Sequence, residues 1–301
     1  MIDKSVGRTA FVLAGGGSLG AVQAGMLAEL IGAGVRPDLI VGVSAGALNG
    51  AFLAHEPSPE MVERIASLWR SVSTREALGL SWRSLLGVFG VRGHLADARG
   101  LAAILRRELP YQEFDGARVP LHIVAADEAT GEEVVLSSGN VLEAVLASTA
   151  IPGVFAPVRI NGRSLVDGAV ASGTPIATAA RLGATQLIVL PCGFTCVGTA
   201  IPRHPIGRAI HSLTLLGARQ LRQDYDHYAD RVSLRIVPPL CPLDQSSYDY
   251  SQGAALIAAA RVSTRQWLDG GGLQCGDFPG PLAVHTHDRV AGYPDLHRES
   301  M

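Results

Sequence analysis

Phe11-Val12-Leu13-Ala14-Gly15-Gly16-Gly17-Ser18-Leu19-Gly20 is an apolar run that breaks into glycines, and Leu39-Ile40-Val41-Gly42-Val43-Ser44-Ala45-Gly46 repeats that arrangement downstream. Each reads as a buried strand turning sharply into a helix. A serine flanked by glycines on such a corner is held with its hydroxyl exposed, and a glycine run ahead of a helix points several backbone N–H groups outward. The first turn can stabilise an oxyanion, and the second can supply the nucleophile that creates one.

Outward from these turns, strand and helix signals alternate from Arg8 to Leu268, which predicts an α/β fold with a mainly parallel central sheet in a single domain over residues 8–269. Residues 1–7 read as an N-terminal extension. The Gly/Pro/His-rich stretch 270–301 has no periodicity and reads as a loosely ordered tail. In between, the pattern predicts helices over 59–72, with Pro59 in the first turn, and over 99–109. Strands follow at 120–126 and 133–136, joined through Thr130-Gly131. Asn140 caps a helix over 141–149 that Pro152 ends. Two short strands bracket Asn161-Gly162, and the second runs into Asp167-Gly168-Ala169. Helix 174–182, strand 186–190, helix 205–229, strand 232–237 and helix 249–268 complete the reading.

The chain has 301 residues, 48% of them hydrophobic and 17% charged, with a formal net charge of -2. That is enough to bury a large core, and the dispersed basic residues leave no electrostatic footprint for nucleic acid. The start lacks the basic-then-apolar layout of a signal peptide, and no apolar run reaches the roughly 18 residues of a membrane span. The expectation is a cytoplasmic protein, with peripheral membrane contact as the second reading. That second reading rests on residues 80–92, which combine large apolar groups with arginine as the sole charge. Such a segment suits a lid or a membrane-facing surface, and equally a helix packed on the sheet or on another subunit. Cys192, Cys196, Cys241 and Cys275 form neither a disulfide framework nor a metal-ligand spacing, and read as reduced structural thiols.

The glycine loop also fits the GxGxxG spacing of a dinucleotide site, with Asp38 downstream in place of the ribose-binding acid. Direction argues against it. Asp38 precedes its strand instead of ending it, which puts the acid at the opposite edge of the sheet. The serine turn needs a base, because a hydroxyl is a poor nucleophile until its proton is taken. None of the nine histidines falls on a loop at the strand tips. A carboxylate can replace imidazole when partial burial raises its proton affinity, and Asp167, following a short strand and preceding a small-residue stretch, is the candidate.

Gly15-Gly16-Gly17-Ser18-Leu19-Gly20, Gly42-Val43-Ser44-Ala45-Gly46 and Asp167-Gly168-Ala169, in that order, resemble the patatin-like phospholipase family. Ala147-Ser148-Thr149-Ala150-Ile151-Pro152-Gly153-Val154-Phe155-Ala156-Pro157 resembles a further block of it. The likeness covers Arg8 to Asp167 and continues more loosely to Leu268. It implies a three-layer α/β/α fold and a Ser-Asp dyad, with Ser44 as nucleophile and Asp167 as base. The amides of Gly15, Gly16 and Gly17 would form the oxyanion hole, with no histidine, metal or cofactor. Bulky side chains at Gly16 or Gly17 are then expected to cripple turnover while leaving folding largely intact. The implied partner is a lipid or acyl ester, cleaved by a phospholipase or lysophospholipase that releases fatty acid. A carboxylesterase, thioesterase or acyltransferase on the same dyad, and a non-catalytic lipid-binding protein on this fold, are the alternatives. Many members carry a basic residue at the position of Leu19 and a second glycine at that of Ala169. Asp127 matches a recurrent family position and reads as a structural turn residue.

Overall fold

The computed structural model describes residues 7–73, 98–193, 205–241, 243, 247, 249–274 and 278–282. Among these, eight strands form one mixed sheet. They are β1 (Thr9–Leu13), β2 (Leu39–Val43), β3 (Leu121–Asp127), β4 (Glu133–Leu136), β5 (Val158–Ile160), β6 (Arg163–Asp167), β7 (Gln186–Leu190) and β8 (Ser233–Ile236). The helices are α1 (Gly20–Gly32), α2 (Ala45–His55), α3 (Pro59–Ser71), α4 (Arg99–Glu108), α5 (Val141–Ser148), α6 (Ile176–Arg181), α7 (Pro205–Tyr228) and α8 (Gly253–Asp269). The strand order is β5-β6-β3-β2-β1-β7-β8, with β4 also paired to β3.

The strand alternation sorts the core into two layers. Phe11 and Leu13 of β1 point to one face, where residues of α1, α2, α3, α5 and α8 pack on them. Ala10 and Val12 point to the other and meet Ile176 and Ala179 of α6 and Leu221 of α7. Because both faces are covered, β1 and β2 run as unbroken apolar segments. This is the expected three-layer α/β/α arrangement. Two caps follow their sequence signals. Ser58 accepts from the Met61 N–H ahead of α3 at 3.2 Å, and Asn140 accepts from the Glu143 N–H ahead of α5 at 3.1 Å.

The register around β3 positions everything that follows. Residues 121–124 of β3 pair in parallel with β2, whose last partner is Val43 opposite Val124. β4 pairs with residues 123–126 and therefore occupies the other edge. β6 pairs antiparallel with Ala125–Asp127, where that other edge is already taken, so it lies on the edge that β2 has just vacated. β3 outruns β2, and β6 fills the space beyond its tip. The last residue of β6, Asp167, pairs with Ala125, one position past Val124.

Several boundaries differ from the sequence reading. The helix expected over 174–182 starts at Ile176, because Pro175 serves as its N-cap. The helix expected from residue 249 starts at Gly253, behind a 3-10 turn at Tyr250–Gln252 that Asp249 caps through the Ser251 N–H. Part of the stretch read as tail packs on the domain. Phe278 meets Tyr225 edge-on at 4.8 Å between ring centres, and Leu282 is buried in the α6/α7 layer. Residues 80–92 and 283–301 lie outside the described residues. Among the described residues, no helix is long and apolar enough to cross a membrane.

Candidate active site

Both turns sit at the carboxyl ends of parallel strands. Ser44 follows β2 and caps the start of α2 with φ 52° and ψ −120°, a sparsely populated combination for a residue with a side chain. The turn is tight enough to require Gly46, since a Cβ there would stand 2.1 Å from the Leu13 carbonyl oxygen. Placing Ser44 at the N-terminus of α2 also favours negative charge developing beside it.

Ser44 Oγ donates a hydrogen bond to Asp167 Oδ2 at 2.7 Å. The second carboxylate oxygen, Oδ1, accepts from the Ala169 N–H at 2.9 Å. Both residues are buried. Burial lifts the Asp167 carboxyl from its usual acidic range to about 6, against the opposing pull of the hydrogen bonds from Ala169 and Ser44. Among the described residues, no histidine hydrogen-bonds to either member of the pair.

The glycine loop is divided in its use. The Gly15 N–H donates to the Gly173 carbonyl at 3.0 Å, so the expectation that it joins an oxyanion hole is corrected: this amide is spent on closing the loop against Gly173. Among the described residues, the Gly16 and Gly17 amides meet no acceptor. A second correction concerns substitution at these glycines. A Cβ on Gly16 would fall 2.2 Å from Cys192 Cβ, and one on Gly17 would fall 2.3 Å from the Ser247 carbonyl oxygen. Side chains at either position disturb packing as well as the amides.

Ser44 and Gly17 open into one cleft, whose other walls come from α2 (Leu48), α3 (Trp69), α4 (Leu101, Ile104), the segment after α5 (Phe155) and Tyr250. Its lining is overwhelmingly apolar. Among the described residues Asp38 is not in it. Asp38 Oδ2 accepts from the Thr9 N–H at 2.8 Å, at the amino end of β1 and away from the glycine loop. The GxGxxG spacing is thus not accompanied by a dinucleotide site. Asp127 Oδ1 accepts from the Ala129 and Thr130 amides and its Oδ2 from Arg163, which makes it a hairpin residue between β3 and β4.

The family model described as "Patatin-like phospholipase" matches residues 11–180, more than half of the chain. The chain belongs to this family. All five site residues named from the sequence fall inside the matched region. It is 31% identical over 194 residues to the Escherichia coli protein YjjU, covering 61% of this chain and 52% of that one. It is 29% identical over 203 residues to an NTE family protein of Mycobacterium bovis, covering 66% and 52%. Against mouse patatin-like phospholipase domain-containing protein 7 the identity is 26% over 186 residues, 61% of this chain but 13% of that one. The chain thus spans about half the length of the bacterial relatives and a small part of the mouse one. Among solved structures, human GIVD cytosolic phospholipase A2 in complex with a methyl gamma-linolenyl fluorophosphonate inhibitor and terbium chloride shares the fold. Its TM-score is 0.50 at 13% identity, covering 91% of this chain and 60% of that one.

Sequence reasoning missed the walls of the cleft, because they come from segments far apart in the chain. It also assigned no role to three buried polar residues of the chain. Gln23 Nε2 donates to the Ala14 and Leu190 carbonyls, Asn49 Nδ2 donates to Gln23 Oε1 and the Gly20 carbonyl, and Trp69 Nε1 donates to Asn49 Oδ1. The available signal was polarity in the wrong place. Gln23 and Asn49 interrupt otherwise small and apolar helical runs.

Proposed function

We propose that the chain is a serine acyl-ester hydrolase working through a Ser44–Asp167 dyad, with a phospholipid or lysophospholipid as substrate and a free fatty acid as product. The observation that carries this reading is the 2.7 Å hydrogen bond from Ser44 to a fully buried carboxylate, at the mouth of an apolar cleft. With its pKa near 6, Asp167 is mostly ionised at pH 7, yet basic enough to take the Ser44 proton as the hydroxyl attacks the ester carbonyl. The negative charge passes to the carbonyl oxygen, where the Gly16 and Gly17 amides and the α2 N-terminus oppose it. Protonated Asp167 then gives its proton to the departing alcohol. A water entering in its place gives a proton to Asp167 as it attacks the acyl-Ser44 carbonyl, and Asp167 passes that proton to Ser44 Oγ as the acid is released. The cleft takes the acyl chain, because an apolar lining this extensive rewards hydrocarbon burial by roughly 0.8 kcal/mol per methylene. The unit responsible is residues 8–269, completed by the packing of Phe278 and Leu282.

The test is hydrolysis of phospholipid, lysophospholipid, acyl-thioester and short-chain ester substrates by wild type, Ser44→Ala and Asp167→Asn, with release of fatty acid as readout. The reading expects release from at least one glycerophospholipid class by wild type and at least a thousandfold loss in both variants. Release from short esters or thioesters alone would assign the same dyad to a general esterase. Vesicle binding without release, undiminished in Ser44→Ala, would overturn catalysis altogether.

A further inference from the structure

Ser148, the last residue of α5, is fully buried, and its hydroxyl meets two backbone groups from different elements. It accepts from the Ser44 N–H at 2.8 Å and donates to the Val124 carbonyl at 2.6 Å. Two residues further on, the Ala150 carbonyl accepts the Asp167 N–H at 2.9 Å. One short segment therefore holds the backbone of both members of the Ser44–Asp167 pair.

The amide of Ser44 has no other natural partner. The pairing of β2 with β1 ends at Gly42 and that with β3 ends at Val43, while α2 uses the Ser44 carbonyl, which accepts from the Leu48 N–H at 3.1 Å. The N–H is left at the end of the ladder, on a residue whose backbone sits in a strained region. Such a conformation persists only where the surroundings over-determine it. A hydroxyl suits this place because one oxygen can accept from the amide while donating its own proton to a carbonyl. Neither alanine nor any apolar side chain can do either.

We infer that Ser148 is a positioning residue. It fixes the backbone of Ser44 and thereby the alignment of Ser44 Oγ on Asp167, an inference that rests on the dyad reading above. Without it, the strained φ and ψ of Ser44 relax, the Cα–Cβ bond swings, and Oγ moves off the carboxylate. A displacement of about 1 Å is enough to cost on the order of a hundredfold in rate. Loss of the Ser44 hydrogen bond also removes a contact that holds the Asp167 pKa down, so the base titrates at higher pH.

The experiment measures the second-order rate of Ser44 phosphonylation by a fluorophosphonate between pH 5 and 9, in wild type, Ser148→Ala, Ser148→Cys and Asp167→Asn. It is run well below the melting temperature of each variant. The dyad reading stands or falls on two of these: wild type must be labelled on Ser44, and Asp167→Asn must be labelled far more slowly. Given that, the inference expects Ser148→Ala and Ser148→Cys to react about ten- to a hundredfold more slowly, with the midpoint of the pH profile moved upward. A serine that merely fills the core would lower the melting temperature and leave rate and midpoint per folded molecule unchanged, and that result overturns the inference. Cysteine nearly matches serine in volume while being a weak donor and acceptor. If Ser148→Ala does not fold, Ser148→Cys alone decides.

Discussion

Ser44 and Asp167 lie 123 residues apart in the chain, yet 2.7 Å separates the hydroxyl of one from the carboxylate of the other. The cause is a mismatch of strand lengths. β3 continues past the end of β2, and antiparallel β6 takes the vacated edge and ends at the tip where Ser44 turns. The carboxylate reaches the serine from inside the sheet, so it is buried as well as near. Its elevated pKa follows from the same topology.

That burial predicts the pH dependence of acylation. In the proposed dyad the reactive form has Asp167 ionised, so the rate of acyl or phosphonyl transfer to Ser44 should rise through a midpoint near 6 and level off above about pH 7.5. A single rising limb is expected, since the proton given to the leaving alcohol is the one taken from Ser44. Warming distinguishes the base. Carboxyl ionisation is nearly athermal, so the midpoint should stay in place between 15 and 35 °C, whereas an imidazole would move it down. Stopped-flow or quenched labelling at the two temperatures checks this.

The same carboxylate should weaken the fold at neutral pH. A group whose folded pKa is raised, here from 3.8 to about 6, binds more protons in the native than in the unfolded state across that interval. Stability therefore falls as pH rises from about 4 to 6 and stays low above it. Asp167→Asn removes this charge while its side-chain oxygen can still accept from the Ala169 N–H. We expect the variant to be about 1–3 kcal/mol more stable than wild type at pH 7.5, with the gain shrinking toward pH 4. Denaturant melts of both proteins at pH 4, 5.5 and 7.5 test the sign. A gain that is constant with pH would mean that the charge is not its source.

Gly16 predicts a coupled pair of substitutions. Gly16→Ala places its methyl group against Cys192, so it should lower both stability and activity. Cys192→Ala keeps the nearer clash, with Cβ at 2.2 Å, and removes only the Sγ contact at 2.9 Å, so it should rescue little. Cys192→Gly in the Gly16→Ala background should recover part of the lost melting temperature. Thermal melts of the four proteins make the comparison, and full recovery with Cys192→Ala would show that the clash is with the thiol instead.

The features visible in the sequence were those that local chemistry controls. The apolar runs into Gly15–Gly17 and Ser44, the Asn140 cap and the Thr130-Gly131 hairpin are each specified within a few residues. The parts that were not legible depend on partners far along the chain. Gly15 loses its amide to Gly173, Gly16 lies against Cys192, and Gly17 lies against Ser247. No local pattern announces these contacts, because each arises from where parallel strands end relative to one another. Ser148 belongs with them, as its neighbours are Ser44, in the turn after β2, and Val124, in β3.

The buried chain Gln23–Asn49–Trp69 should behave as a unit. Asn49 receives the Trp69 N–H at 2.7 Å and passes its own N–H groups to Gln23 and Gly20, while Gln23 ties the Ala14 and Leu190 carbonyls at the ends of β1 and β7. Every link is buried, so Asn49→Leu orphans several polar groups at about 1–3 kcal/mol each. Trp69→Phe orphans only one acceptor. Once Asn49 is gone the indole N–H has no partner to lose, so the double variant should be less destabilised than the two singles combined, by at least about 1 kcal/mol. Because Trp69 also lines the cleft, Asn49→Leu should raise KM for long-chain substrates more than for short ones. Equilibrium unfolding of the four proteins measures the coupling. Strict additivity would mean that the three side chains are satisfied independently, and that the glycine loop is held by its own packing on Cys192 and Ser247 rather than by this network.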